Sequence, residues 1–481
     1  MALRTANIIG SGPNGLAAAI TLAQRGVAVT VYERNDRIGG ACSSAEITLP
    51  GFVHDLGSSA YPLGIASPFF RSLPLEQHGL RWVQPNAPVA HPLDNGEAVV
   101  LEPSLDRMGE QLSTHDAKAW RALFGPCVAH WDALLDDVMQ PLLRLPSHPF
   151  ITARFGLPAL LSAATLASLL FRDERTKALF AGIAAHSVLP LTNIASASAS
   201  MLLGTAGHAS GWPIAAGGAQ SLTNALAAYL RSLGGTIITG VEVRALSQLP
   251  PADATLFDTS ATVMATIAHD ALDAGYLRKL RAYRLGPGAF KIDYALSAPI
   301  PWKNPQCLRA ATVHVGGTLA EIAASEDAAF YGHLSDKPYV LVVQPSLFDA
   351  SRAPEGKHTA WAYCHVPSGS DMDRTAAIEA QIERFAPGFR DCVLARRASN
   401  ASALTVWDPN LAGGDISGGA LTLKQIVARP TLSAYRTSNP ALYLCSAFTP
   451  PGGGVHGMCG HNAALEALRI LNHPRDGSRV V

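Results

Sequence analysis

Charge is scarce in this chain. Only 15% of its 481 residues are Asp, Glu, Lys or Arg, against a usual ~25%, and the 37 basic side chains cancel the 37 acidic ones. With no excess of one sign, there is no general electrostatic reason to bind nucleic acid. Paired cysteines are missing too. The seven cysteines (Cys42, Cys127, Cys307, Cys364, Cys392, Cys445 and Cys459) are odd in number and include no C-x-x-C. That excludes a disulfide framework and a four-ligand zinc pattern, and points to a reducing compartment. No secretory signal fits the N-terminus, because a glycine-rich motif begins at Gly10. The uncharged run from Phe155 to Phe171 is interrupted by Pro158 and is borderline for a membrane span, which needs about 20 residues. No G-x-S-x-G elbow, internal repeat or low-complexity tract stands out, so a serine hydrolase has little support. What remains is a chain with 48% apolar residues, long enough for about three domain-equivalents and a large core.

The first forty residues carry the strongest signal. Ala6 to Ile9 reads as a strand, Gly10-Ser11-Gly12-Pro13-Asn14-Gly15 as a tight turn, Leu16 to Gln24 as a helix, and Val27 to Glu33 as a second strand. A strand, glycine turn, helix, strand and terminal acid in this order form a dinucleotide-binding unit. Gly10 permits the turn, Gly12 lets a pyrophosphate approach the backbone, and Gly15 lets the helix sit close to the strand. The helix N-terminus offers free N–H groups to phosphate, and Glu33 is placed to accept from ribose hydroxyls. A single G-x-G-x-x-G is present, whereas disulfide reductases fed by NAD(P)H need a second dinucleotide site.

Three further segments belong with this unit. Arg34 to Ser43 carries the pair Gly39-Gly40, followed by Ala41. Gly217-Gly218 precedes a helical run from Ser221 to Leu233, followed by strand-like Thr236 to Ile238, Val241-Glu242-Val243 and Ala254 to Ser260. Near the far end, Ala441 to Ala447 reads as a strand, Pro450 to Gly457 as a glycine turn, and Asn462 to Leu471 as a helix. Together these segments resemble the FAD enzymes of the phytoene desaturase and carotenoid isomerase superfamily, and within it the subgroup named for a pyridine nucleotide-disulphide oxidoreductase domain. That signature usually has Arg after the glycine pair, where this chain has Ala41. Segments around His186, from Gly207-His208 to Pro213, and from Ala289 to Trp302 share the likeness.

The resemblance implies an α/β fold with a discontinuous Rossmann-like FAD-binding domain (1–70, 215–265 and 430–475). Beside it stand a mainly helical cap (71–214) and a substrate-domain antiparallel sheet (266–429), as in amine oxidases and phytoene desaturases. FAD is the implied cofactor. The implied contacts are Gly10, Gly12, Asn14, Gly15, Glu33, Arg34, Gly39, Gly40, Ala41, Val243, Gly454, Val455 and Gly457. Asp55 matches a family position and is expected to hydrogen-bond the nearby loop backbone.

Candidate chemistry outside the cofactor is sparse. Lys291 and Asp293 sit two apart on a strand and share one face, opposite Phe290 and Ile292. Either that face lines the cavity, with Asp293 as counter-ion to a flavin-tuning Lys291, or the pair faces solvent, which is the reading favoured here. His186 and His208 lie in a stretch from Ala178 to Leu230 without one Asp, Glu, Lys or Arg. That stretch reads as a buried helical bundle, an apolar channel or a bilayer-resting surface. His456 lies in the turn expected beside the flavin. No metal site is expected at His456-x-x-Cys459-x-His461.

The expected activity is hydride exchange between flavin N5 and a lipophilic, isoprenoid-like substrate, by desaturation, saturation or isomerisation. Oxygen or a quinone is the expected acceptor. An amine oxidase and an FAD-stabilised, membrane-associated scaffold are the alternatives. The expected setting is cytoplasmic, with peripheral contact at the inner membrane face as an option and the oligomeric state left open.

Overall fold

The computed structural model describes residues 4–472. Its first sheet is a five-stranded parallel one, in the order Leu442–Leu444, Ala254–Phe257, β1 (Thr5–Ile9), β2 (Ala28–Tyr32) and Thr236–Ile238. Between β1 and β2 the chain forms the helix α1 (Pro13–Ala23), with Pro13 in its first turn, where a missing N–H costs nothing. The helix α1 is buried along most of its length because helices Ala219–Ser232 and Met458–Asn472 both pack against it. That approach is close. A Cβ on Gly460 would lie 1.8 Å from the Asn14 carbonyl oxygen, so only glycine fits there. Val241-Glu242-Val243, read above as strand, is an extended loop instead. The Val241 N–H bonds the Glu33 carbonyl at 2.8 Å, and Val243 is buried against Ile9 and Tyr32.

A second, seven-stranded sheet is ordered Val393–Ser399, Gly288–Leu296, His358–Val366, Val340–Val343, Ala310–Val315, Ala87–Pro92 and Ala98–Leu101. All neighbours are antiparallel except Ala310–Val315 against Ala87–Pro92, which run parallel. Its last two strands come from the 71–214 segment, read above as mainly helical. Side chains alternate across a strand. One face therefore carries Phe290, Ile292 and Tyr294 with Val340, Val342, Ala360 and Ala362, packed on Ile378, Ile382 and Phe385. The other face carries Lys291, Asp293, Thr312, His314, Trp361, Tyr363 and His365, all buried, with Lys291 and Asp293 beside His54 of the dinucleotide half and His314 against His186 of the cap.

Seven helices between Leu105 and Ala209 form the cap. The uncharged stretch runs through its core, where Phe180, Ile183, Ala184, Ala197 and Met201 are inaccessible. Residues Phe155 to Phe171 do not form one helix. Pro149–Ala159 and Ala163–Leu170 meet at a bend of 98°, and no single helix among the described residues is long and apolar enough to cross a membrane.

Candidate active site

A cavity of about 1210 Å³ lies where the two sheets and the cap meet. One wall is the glycine loop. Gly10 has φ +98°, and a Cβ on Gly15 would sit 2.2 Å from the Gly10 carbonyl oxygen, so the turn tolerates glycine alone at both places. Gly12 starts α1 with no side-chain cap of its own and no acid in the first turn; Asp258 holds the Gly15 amide, and the Asn14 backbone amide remains at the helix N-terminus for a ligand. The Asn14 Oδ1 atom is buried without a partner beside them. Such a cradle fits a dinucleotide pyrophosphate. Glu33 is buried next to it, accepting from the Ser11 amide (3.1 Å), the Ser11 hydroxyl (2.7 Å) and the Asn35 amide (2.9 Å). Its carboxylate is thereby fixed at the end of β2, beside the glycine loop.

Most of the residues named from sequence line this one cavity: Gly10, Gly12, Asn14, Glu33, Arg34, Gly40, Ala41, Val243, Gly454, Val455, Lys291 and His186. Arg34 donates to the Trp407 carbonyl at 3.0 Å and so ties the loop after β2 to the second sheet's domain. Gly15, Gly39 and Gly457 stand behind the lining. A Cβ on Gly457 would sit 2.6 Å from the Phe70 ring, and one on Gly39 2.6 Å from the Cys42 carbonyl oxygen.

Two histidines depart from the sequence reading. His208 lies in the cap core, where its Nε2 accepts from the Trp120 indole at 2.9 Å, away from the cavity. His456 uses Nδ1 to accept the Met458 amide at 3.0 Å, capping the last helix. Burial pushes both rings down to about 4, so they stay neutral near pH 7. His186 does reach the cavity. Its Nε2 meets His314 Nε2 at 3.0 Å, and burial holds it down at about 3. Cys459 and His461 turn elsewhere, to the Thr449 and Gly452 carbonyls and to Thr21.

The favoured solvent-facing reading of Lys291 and Asp293 is overturned. The two residues are only 5% and 3% exposed, and the ammonium donates to Asp293 inside the protein while lying 5.1 Å from the Trp361 ring centre. The reason is tertiary: the dinucleotide half covers what would otherwise be an open sheet face. Burial pushes the Asp293 carboxyl up, against the pull of Lys291. His54 stands 3.8 Å from Asp293, driven down to about 3 by burial and by the nearby Lys291 and Arg352 charges. Asp55 does more than bond its own loop. It pairs with buried Arg352 at 2.8 Å and accepts the Ala219 amide at 2.8 Å and the Ser44 hydroxyl at 2.8 Å. Burial would raise this carboxyl, but Arg352 and these donors outweigh it and hold it low.

Sequence reading missed several lining groups. Asp258 caps the strand Ala254–Phe257 and accepts the Gly15 amide at 2.8 Å, and burial, with Asp408 and Glu33 nearby, raises it to about 7. An acid at a strand's carboxyl end beside the glycine loop was the available signal, since ligands bind at that crevice. Trp361 and Tyr363 stack at 5.8 Å and 19° on the opposite wall. Their alternate spacing on a strand was visible, but the partner wall was not.

The chain is similar to known proteins in sequence and in fold. Residues 8–73 match the model of an NAD(P)-binding Rossmann-like domain. The rat pyridine nucleotide-disulfide oxidoreductase domain-containing protein 2 is 27% identical, over 97% of this chain and 93% of that protein. A lycopene-forming phytoene desaturase from Pseudescherichia vulneris is 25% identical, over 96% and 98%. Among solved structures, cyclohexylamine oxidase from Brevibacterium oxydans superposes with a TM-score of 0.61 at 16% identity, over 98% of this chain and all of that one. The chain is thus an oxidoreductase with a Rossmann-like dinucleotide domain, similar along nearly its whole length to the rat pyridine nucleotide-disulfide oxidoreductase domain-containing protein 2 and to the bacterial phytoene desaturase.

Proposed function

We propose that this chain holds FAD along the glycine loop and exchanges hydride with a lipophilic, isoprenoid-like substrate, desaturating, saturating or isomerising it. In desaturation oxygen or a quinone would take the electrons from the reduced flavin; saturation would need an electron donor to reduce the flavin instead, and isomerisation would return the hydride to the substrate. The observation that carries it is continuity: one cavity runs from Gly12 and Glu33, past Ala41 and Val455, to the sheet face and on to apolar Phe155, Leu202 and Leu203 of the cap. The bound flavin would supply the hydride acceptor. The residues present would do the rest. Gly12 and the first turn of α1 would hold the pyrophosphate, and Glu33 the ribose. Lys291, pinned by Asp293, would put positive charge where negative charge develops, at a buried point of the cavity wall. Leu341, Val343 and the Trp361–Tyr363 pair would orient an apolar chain.

One observation favours an amine oxidase: the stacked Trp361–Tyr363 pair has the shape of an aromatic wall for a cation. The Lys291 ammonium already occupies the Trp361 face, however, and opposes a second cation there.

Anaerobic mixing of the purified flavoprotein with polyenes and with amines tests the choice. Lipophilic polyenes are expected to bleach the flavin absorbance. Bleaching by amines alone would overturn the substrate class. A flavin that stays oxidised toward every donor would leave the scaffold reading in place.

A further inference from the structure

The helical cap exposes a face that water does not explain. In the helix Pro149–Ala159, Phe150, Arg154 and Leu157 share one side, and Leu161 extends the row past its end. That side points outward, with Phe150 92% and Leu157 71% exposed. A helix on a water-facing surface turns its apolar row inward. Here the inner side carries Phe155 and Ala159, which line the cavity, so the helix is apolar on both sides. Leu145 before it and Leu169 after it add to the outer face, at 89% and 72% exposed. Contiguous exposed apolar surface of this kind marks an interaction site.

Two observations say what covers it. Between Val138 and Phe171 the charged side chains are Arg144 and Arg154, both exposed, and there is no acid. The acids that touch the segment from outside it, Asp136 and Asp137, are engaged at its root by His148 and by the Ser147, His148 and Thr152 donors, so the outward apolar row carries arginine alone and suits an anionic lipid surface. In addition, Leu142, Leu145 and Leu160 are at once exposed and part of the cavity lining. The apolar face and the cavity mouth are one continuous surface. The 98° bend between the two helices keeps the arm from spanning a bilayer and leaves it suited to lie in the interface.

We propose that residues 138–171 form an arm that docks the protein on an anionic phospholipid bilayer, with the cavity mouth opening against the lipid. Phe150, Leu157 and Leu169 enter the acyl boundary, and Arg144 and Arg154 meet headgroup phosphates. A lipophilic molecule then passes from the bilayer between Leu142 and Leu160 without crossing water. The docking surface rests on geometry independent of the cofactor assignment, so the two readings fail separately.

Vesicle flotation of the full-length holoprotein tests it, with phosphatidylcholine alone and with phosphatidylglycerol mixed in. The protein should float with the mixed vesicles, less with phosphatidylcholine, and less again at high salt. Phe150→Ser with Leu157→Ser should cut the bound fraction about tenfold or more, while Leu432→Ser, an exposed leucine elsewhere, should leave it unchanged. Arg144→Gln with Arg154→Gln should erase the preference for anionic vesicles, and this pair serves if the apolar variant fails to fold. Thermal melting and the flavin spectrum report folding in each case. No flotation with either vesicle, or flotation indifferent to all these substitutions, would overturn the proposal. So would a dimer that Phe150→Ser with Leu157→Ser converts to monomer without any lipid binding, which would assign the face to a second copy of the chain.

Discussion

The two faces of the seven-stranded sheet are built by the same strands and obey opposite rules. Toward the helix Thr375–Phe385, Ile292 and Val342 pack as an ordinary core. On the opposite face, residues one step away in sequence place Lys291 and Asp293 against the dinucleotide half, and His314 and His365 beneath the cap and helix Leu319–Phe330, all out of water. Apolar packing on one side gives the sheet its stability. On the other side that stability is drawn upon to hold charge where solvent cannot reach. A buried ion pair is a weak source of stability and an expensive thing to break, because the survivor is left uncompensated.

The largest test of this contrast is Asp293→Ala, which strands the Lys291 ammonium. Chemical denaturation should show a loss of about 3–5 kcal/mol, most of it regained when Lys291→Met and Asp293→Leu are combined. A single substitution costing no more than a surface pair would mean that this face is wet.

The next effect lies across the cavity, at Asp258. Its carboxyl is raised to about 7 in the folded protein from an ordinary 3.8, so the folded state binds the extra proton and stability falls as pH climbs between those values. Asn keeps an acceptor for the Gly15 amide without the charge. Asp258→Asn should therefore stabilise the flavin-free protein by roughly 1–4 kcal/mol at pH 8, with the gain shrinking toward pH 4, as followed by melting across pH. A gain independent of pH would remove the carboxyl as its cause.

The smallest effect belongs to the apolar face. Ile292→Val should cost about 1 kcal/mol and leave flavin absorbance and its reduction by substrate unchanged. A shift in either spectrum would show that the two faces are coupled.

What could be read in advance follows the range of the forces involved. The glycine loop, Glu33 and the strands around them are local, since turn geometry and a terminal acid show within forty residues. The alternation that puts Lys291 and Asp293 on one face is also local. Which face meets solvent depends on a domain assembled from both ends of the chain, and there the reading failed. The same limit hid the strand Ala87–Pro92, whose place is fixed by pairing with Ala310–Val315 more than two hundred residues later, and with it Ala98–Leu101, which joins the sheet only through Ala87–Pro92. Val241–Val243 misled in the other direction: its composition suits a strand, but past Ile238 the chain bends to bond Glu33 from outside the sheet. His208 and His456 had the right residue type but the wrong surroundings, each already engaged by a neighbour.

The parallel sheet carries a consequence for synthesis. Its central strand β1 leaves the ribosome long before one neighbour in the sheet, Ala254–Phe257, and longer still before the outer strand beyond it, Leu442–Leu444. Helix Met458–Asn472, which seals α1, comes later still. Strand β1 and its helix therefore wait, partly unpaired, until these later segments have been translated. A growing chain of this protein is exposed to aggregation for most of its time on the ribosome, and a helper that shields early apolar segments would matter more to its yield than to its final stability.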